Sequence, residues 1–258
     1  MLALITNDDG IEALGLRVLA RAAAAAGLEV VVAAPLDDSS GGSCSLIAVQ
    51  EEGRVVVDRR DPTEFGATDA FGVAAMPALI TLMALQGAFG AVPDLVLSGV
   101  NEGLNVGRAV IHSGTVGAAV TACMHGRPGL AVSREAAEEP HWETIESTTR
   151  EVVGWFSASA EVRAMSLNIP HRPLAELAGL RPARLAAFGA VQATVVDTGE
   201  GSVMLTYEEV ARTLEPGTDA ALVADGYATV TALEPLAERV PTDLSSLLDR
   251  FEHVGLRP

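Results

Sequence analysis

The sequence predicts an α/β protein built as three layers, with helices on both faces of a doubly wound, mostly parallel β-sheet. Short, continuous apolar runs alternate with helical patterns through the first half of the chain, and Gly, Pro and polar turns separate them. Runs that are apolar on both faces are typical of parallel strands covered by helices on each side. With 258 residues, the chain is long enough for one large domain with a small appendage.

The elements of the first half follow from these runs in order. Strands are predicted at 2–6, 30–34, 45–49, 54–57, 94–97 and 130–133. Helices are predicted at 14–26, 77–86 and 114–124. Gly27 and Pro35 are typical ends for a helix and a strand, and Ser98-Gly99 is expected to end the strand that begins at Asp94.

The second half is less regular. A helix is predicted at 142–157, strands at 165–169 and 227–233, and a C-terminal helix at about 243–254. The Gly199-Glu200-Gly201 turn predicts a β-hairpin extension within about 180–210. We therefore expect residues 1–258 to form a single α/β domain, with its core at about 1–178 and 216–240.

Charge and composition exclude several function classes. The formal net charge is −17, and all 17 bases are Arg. An acidic chain binds a phosphate backbone poorly, so a nucleic-acid duplex is not an expected partner. The absence of Lys removes Schiff-base and P-loop chemistry. No apolar stretch is long enough for a membrane span, and the basic region of a signal peptide is missing, so a cytoplasmic location is expected.

Three polar clusters directly follow predicted strands. They are Asn7–Gly10, Ser39–Ser43 and Ser98–Asn105. Because the carboxyl ends of parallel strands meet at one edge of a sheet, we expect these clusters to converge there. Neighbouring carboxylates repel each other, and a divalent cation relieves that repulsion.

The converging groups predict a Mg²⁺ or Mn²⁺ site. Asp8 and Asp9 supply carboxylate oxygens, Asn101 an amide oxygen and Ser40 a hydroxyl. Taken alone, Asp8-Asp9-Gly10 is equally typical of a helix cap. The convergence of three loops favours the metal site.

The segment 111–116 leads into a predicted helix, and a helix N-terminus presents free N–H groups to anions. Ser113 and Thr115 add hydroxyl donors, although Ser and Thr are also common as ordinary caps. His112 is a candidate general acid, although a lone His is more often structural.

Rival motifs do not match. A haloacid-dehalogenase phosphatase and a response-regulator receiver domain both need a Lys, and the former also needs Asp-x-Asp. A serine-hydrolase elbow requires Gly-x-Ser-x-Gly, which fails at Ser45. No Gly-x-Gly-x-x-Gly follows a strand, so a dinucleotide cofactor is not expected.

The chain resembles the SurE family of survival nucleotidases, because a series of short motifs occurs in the family's order along nearly the whole chain. These motifs are Thr6-Asn7-Asp8-Asp9-Gly10-Ile11, Ala34-Pro35, Ser40-Gly41, Ser45-Leu46, the stretch 94–107, the stretch 110–116, Leu167-Asn168-Ile169-Pro170, Gly217-Thr218-Asp219 and Asp225-Gly226-Tyr227.

The resemblance implies a Rossmann-like core with a protruding hairpin and an exchanged C-terminal segment, assembled as a homodimer or homotetramer. It also implies a phosphatase for nucleoside 5′- and 3′-monophosphates with one divalent ion per subunit. The matching metal positions are Asp8, Asp9, Ser40 and Asn101, of which Asp8, Asp9 and Asn101 carry the catalysis. Asn105, Ser113, Gly114 and Thr115 match positions that line the phosphate.

Three departures from the family pattern put turnover and substrate preference in question. Arg108-Ala109 replaces an acidic pair, Ser39 replaces an Arg, and Gly66-Ala67-Thr68-Asp69 is a degraded Gly-Thr-Pro-x-Asp. Two alternatives therefore stay open: a metal and nucleotide binder with little turnover, and a phosphatase for a non-nucleotide metabolite.

Overall fold

The computed structural model describes residues 1–159, 164–187, 191–199, 202–209 and 214–237. Its strands are β1 (Leu2–Thr6), β2 (Glu29–Pro35), β3 (Gln50–Glu51), β4 (Arg54–Val55), β5 (Val57–Arg60), β6 (Asp69–Val73), β7 (Leu95–Glu102), β8 (Gly129–Arg134), β9 (Ala164–Ile169), β10 (Leu180–Pro182), β11 (Val191–Gly199), β12 (Ser202–Glu209) and β13 (Ala228–Ala232). The helices are α1 (Leu14–Ala25), α2 (Pro77–Leu85), α3 (Gly114–Met124), α4 (Trp142–Ala158) and α5 (Asp219–Ala224), with 3-10 turns at Pro62–Glu64, Gly107–His112 and Leu174–Glu176.

Nine strands form the central sheet in the order β10-β13-β9-β8-β7-β1-β2-β6-β5. All neighbours are parallel except β9 with β13 and β5 with β6. From β1 the chain first builds outward through β2 and β6, and then builds through β7, β8 and β9 on the other side of β1. The reversal lies between β1 and β7, and this is where parallel α/β sheets open a crevice for ligands.

The core lies on both faces of the sheet, which confirms the predicted three-layer class. Apolar side chains alternate along β1: Ala3 and Ile5 pack with α1 and α4, whereas Leu4 packs with α2 and α3. Three helices begin where the sequence supplies a start signal. Pro77 occupies the first turn of α2, Ser113 caps α3 and Thr218 caps α5.

Three predicted strands are wrong in their extent. The segment 54–57 is divided between β4, which ends at Val55, and β5, which begins at Val57. The segment 45–49 makes only an isolated bridge between Ala48 and Ala75, because its apolar side chains lie exposed instead of in the sheet. Ser98-Gly99 does not end β7, which continues to Glu102 with a shift of register. Gly99 has a φ of +129°, and a Cβ there would lie 2.2 Å from the Val132 carbonyl oxygen, so glycine lets β7 pass β8.

The predicted hairpin is present as the antiparallel pair β11–β12. Leu180–Pro182, which was expected in that extension, instead joins the edge of the central sheet as β10. Strand β6 and helix α5 were not predicted. The predicted C-terminal helix at 243–254 lies outside the described residues. Among the described helices, none combines the length and the apolar character that a membrane crossing requires.

Candidate active site

Asp8 follows β1 directly and lies against the N-terminus of α3, with only 3% of its surface exposed. The Thr115 hydroxyl donates a hydrogen bond to its Oδ1. A Cβ on Gly114 would lie 2.8 Å from Asp8 Oδ2, so glycine is what allows this close approach. The positive end of the helix therefore faces a carboxylate, as electrostatics favours.

Asn101, near the end of β7, joins the same group. Its Oδ1 lies 3.2 Å from Thr115 Oγ1, and its Nδ2 donates to the Gly103 carbonyl at 2.7 Å. The second contact fixes the orientation of the amide, so that the oxygen faces the Asp8 side. The structure thus brings together Asp8, Asn101 and Thr115, as the convergence of strand ends predicts.

Asp9, which also follows β1, contacts the end of β7, because its Oδ2 accepts the Glu102 main-chain N–H at 3.4 Å. Burial, reinforced by the charge of Asp8, raises the pKa of Asp9 to about 6. Burial also raises the pKa of Asp8, while hydrogen bonds from the hydroxyl and main chain of Thr115 act in the opposite direction. The two carboxylates are therefore an electrostatically strained pair.

The loop after β2 contributes a third carboxylate that the sequence analysis missed. The charge of Asp38 raises the pKa of both Asp8 and Asp9. The only available signal was its position at the end of a parallel strand.

Ser40 and Ser39 take different partners in this loop. The Ser40 hydroxyl donates to Asp38 Oδ1 at 2.6 Å, and its main-chain N–H does so at 2.8 Å. Ser39 contacts the acid pair instead, because its main-chain N–H donates to the Asp8 carbonyl at 2.7 Å. In this structure the Ser40 hydroxyl is directed to Asp38 and not to the other three predicted ligands.

Ser113 acts as a cap, since its Oγ accepts the Val116 N–H at 3.1 Å. The carbonyl of His112 accepts an N–H from Ser43 at 3.3 Å, and the ring lies in an exposed residue. These contacts hold the turn before α3 in place, and the Thr115 main-chain N–H is directed toward Asp8.

Asn105 lies farther along the same sheet edge, above β8 and β9. Its Nδ2 donates to the Ser133 hydroxyl at 2.8 Å, and its main chain pairs with Asn168. Asn101, Ser133 and Asn168 are register partners across β7, β8 and β9. A polar row therefore extends from Asn101 along the edge to Asn168. The sequence analysis had Asn168 in a family motif but did not assign it to the site.

The donor set fits a hard divalent cation. Asp8 and Asp9 are adjacent in the chain, and the Asn101 amide oxygen lies 3.2 Å from the Thr115 hydroxyl that donates to Asp8. Asp8, Asp9 and Asp38 have no ion pair with any described Arg or His. Within the described part of the chain, no three His, Cys, Asp or Glu side chains form a metal-holding cluster. Such a site would thus depend on neutral oxygens and water beside the acid pair, which is typical of Mg²⁺.

Comparison with known proteins agrees with this fold. The model of the family described as "Survival protein SurE" matches residues 3–190. A protein named 5′-nucleotidase SurE 1 from Burkholderia lata is 33% identical over 90% of this chain and 89% of its own length. A 5′-nucleotidase SurE from Desulfovibrio desulfuricans is 34% identical over 90% and 92%.

A solved structure also matches this chain. The crystal structure of the SurE protein from Aquifex aeolicus superposes with a TM-score of 0.74 and 26% identity, covering 99% of this chain and all of the other. The family match spans most of the residues that build the sheet and every residue of the candidate site. The chain belongs to the SurE family.

Proposed function

We propose that this protein is a divalent-metal-dependent phosphomonoesterase that hydrolyses nucleoside 5′- and 3′-monophosphates. The observation that carries the proposal is the meeting of Asp8 and Asn101 with Thr115 at the N-terminus of α3, while Asp9 contacts the end of β7. This arrangement pairs cation ligands with N–H donors for an anion, which is what a phosphate bound through a metal requires. The relatives named 5′-nucleotidase support the substrate class.

Asp8, Asp9 and Asn101 would hold one Mg²⁺ or Mn²⁺, and the family resemblance adds Ser40. A bound ion of this kind stabilises charge on the phosphoryl oxygens and lowers the pKa of a coordinated water. The Ser40 hydroxyl donates its proton to Asp38, and the lone pairs of its oxygen would still be available to the cation.

Residues of the chain would then orient the phosphate and accept the proton. Thr115 and the free N–H groups of α3 orient the phosphoryl oxygens. Asn105, together with the Ser113-Gly114 turn, lines the far side of the phosphate. Water would attack phosphorus, the bond to the ester oxygen would break, and the departing oxygen would take a proton from solvent to leave as the nucleoside hydroxyl. Asp8 or Asp9 accepts the proton of the attacking water, and a covalent aspartyl phosphate is the alternative route.

The test is release of phosphate from a panel of nucleotides and other phosphomonoesters, with Mn²⁺, with Mg²⁺ and with EDTA. We expect Asp8→Asn to reduce metal-dependent release at least about 100-fold. Asp61→Asn is the matched control, because Asp61 is a carboxylate that caps an exposed turn at Pro62–Glu64. Full metal-dependent activity in Asp8→Asn would contradict the proposal.

A second candidate is a binder of metal and nucleotide with little turnover. The observation that favours it is that Ser39 and Arg108-Ala109 stand where the family pattern has an Arg and an acidic pair. Tight nucleotide binding in calorimetry without phosphate release under either metal would support it. Activity confined to other phosphomonoesters in the panel would instead support a non-nucleotide phosphatase.

We also propose a cytoplasmic homodimer or homotetramer. The support is a cavity of about 770 Å³ beside α3, whose lining includes Leu46, Ile111 and Met124. Their side chains are largely exposed, and clustered exposed apolar side chains are typical of an interaction surface. Light scattering of the purified protein measures the assembly directly.

A further inference from the structure

The loop after β7 is held at both ends by buried side chains from distant parts of the chain. Asn168, on β9, is 1% exposed. Its Oδ1 accepts the Asn105 main-chain N–H at 2.9 Å, and its Nδ2 donates to the Asn105 carbonyl at 2.9 Å. This reciprocal pair satisfies both main-chain groups of Asn105 as a β-ladder partner would, and it fixes their direction.

The other end of the loop is held by Asp219, at the start of α5. Its side chain is fully buried. Oδ2 accepts the Gly107 N–H at 2.8 Å, and Oδ1 accepts the N–H groups of Ala186 at 2.9 Å and Ala220 at 2.8 Å. A buried carboxylate is costly unless it is hydrogen-bonded, so these three donors define the position of Gly107 relative to α5.

Only Val106 separates the two fixed residues, Asn105 and Gly107, and each leads to a part of the candidate active site. The Asn105 side chain reaches Ser133. The 3-10 turn that begins at Gly107 ends at His112 and continues into the cap of α3, and hence to Thr115 beside Asp8. A shift of this short segment would move Asn105 and the N-terminus of α3 together.

We infer that Asn168 and Asp219 are positioning residues, which act on the reaction through the 105–107 segment without touching the substrate. The inference rests on the proposed function and deepens it, since it assigns the placement of the phosphate-facing groups to two residues outside the site. Asn168→Asp keeps size but loses the donor to the Asn105 carbonyl. Asp219→Asn turns one acceptor into a donor that faces N–H groups.

The first measurement is amide hydrogen exchange by NMR, which does not depend on activity. We expect the Asn105 amide to exchange at least about 10-fold faster in Asn168→Asp, and the Gly107 amide to do so in Asp219→Asn. Asp219→Glu keeps the carboxylate and is expected to recover part of the Gly107 protection. Unchanged exchange of both amides would overturn the inference, whatever the enzyme assay shows.

The second measurement is kcat/KM for phosphate release, with Thr218→Ala as the matched control. Thr218 caps α5 next to Asp219 and donates to the Glu215 carbonyl at 2.7 Å, but it does not contact the 105–107 segment. We expect losses of at least about 10-fold in Asn168→Asp and Asp219→Asn. Thr218→Ala is expected to lower Tm with less than about a 2-fold effect on kcat/KM.

A double-mutant comparison separates positioning from general destabilisation. In an Asn105→Ala background, Asn168→Asp is expected to add less than about a 2-fold further loss, because the side chain that it positions is gone. If the losses of kcat/KM multiply in the double mutant, the positioning role is overturned. It is also overturned if kcat/KM falls along with Tm in Thr218→Ala. If the wild-type protein releases no phosphate, the proposed function fails, and the exchange rates alone decide the inference.

Discussion

Thr115 on α3 donates its hydroxyl to the carboxylate of Asp8, which precedes it by 107 residues. The same hydroxyl oxygen lies 3.2 Å from the Asn101 amide oxygen. One threonine therefore joins the end of β1 to the end of β7 across the point where the sheet reverses direction. Because its hydrogen bond lowers the pKa of Asp8 against the effect of burial, it also favours the charged form that a cation would bind.

Replacing this hydroxyl should impair the site more than the fold. We expect Thr115→Val to reduce kcat at least about 10-fold and to weaken Mn²⁺ binding, because the Asp8 pKa rises further and an oriented donor is lost. Steady-state kinetics and calorimetry measure the two effects. Thr121→Val is the control, since Thr121 is a buried threonine on the same helix that bonds only to the Gly117 carbonyl. Equal losses in the two variants would contradict a specific role for Thr115.

Two glycine substitutions should have opposite effects on stability. Gly114→Ala places a Cβ 2.8 Å from Asp8 Oδ2, so we expect a loss of about 1–3 kcal/mol and weaker metal binding. Gly154→Ala meets nothing within 4 Å inside α4, so we expect a gain of about 0.5–1 kcal/mol. Denaturant unfolding gives both values. A Gly114→Ala protein as stable as the wild type would show that the close approach to Asp8 is not required.

The acid pair should destabilise the metal-free protein at neutral pH. Because the pKa of Asp9 rises from its ordinary value of 3.8 to about 6, the folded state binds more protons than the unfolded state between these values. The free energy of unfolding in EDTA should therefore fall as pH rises from about 4 to 6 and stay low above that. The raised pKa of Asp8 has the same sign.

Asp9→Asn removes the charge whose burial, together with repulsion from Asp8, raises this pKa. The full shift corresponds to about 3 kcal/mol. Partial exposure of Asp9 reduces the gain that we expect at pH 7 to about 1 kcal/mol. Denaturant unfolding of both proteins in EDTA at pH 5 and pH 7 measures it. A variant less stable than the wild type at pH 7 would show that the metal-free pair is not strained.

Cation binding should offset the destabilisation that the charged Asp8 and Asp9 cause in the metal-free protein. At a free Mn²⁺ concentration of 100 times Kd, linkage predicts about 2.7 kcal/mol of added stability in the wild type. We expect the corresponding rise in Tm to be absent from Asp8→Asn and present in Asp61→Asn. An equal rise in all three proteins would place the cation elsewhere.

The part of the site that follows directly from strand ends was predictable from the sequence. Asp8 and Asn101 stand at the ends of neighbouring parallel strands, and parallel topology alone brings them to one edge. The first turn of α3 was predictable for a similar reason, because a helix that follows a strand in this class begins at the same edge. Both follow from the spacing of the apolar residues and from the order of strands and helices along the chain, and the sequence shows both.

The orientation of individual side chains was not predictable. Ser40 lies in the expected loop, but its hydroxyl satisfies Asp38 two residues earlier, a local choice that the apolar pattern does not register. Asn168 and Asp219 meet the site loop from 63 and 112 residues away, and only the folded chain shows which main-chain groups they bond. For 45–49, apolar side chains predicted a buried strand, although they are exposed in the structure.

The bond between Asp219 and Gly107 has a consequence for biosynthesis. A ribosome that adds about 5–20 residues per second needs about 6–22 s to pass from one of these residues to the other. Until α5 emerges from the exit tunnel, a nascent chain can assemble β1, β7 and β9 and hold Asn105 through Asn168, but it lacks the anchor for Gly107. Premature termination upstream of α5 would thus release polypeptides that contain every proposed ligand while the 105–107 segment that leads into α3 is held at Asn105 alone.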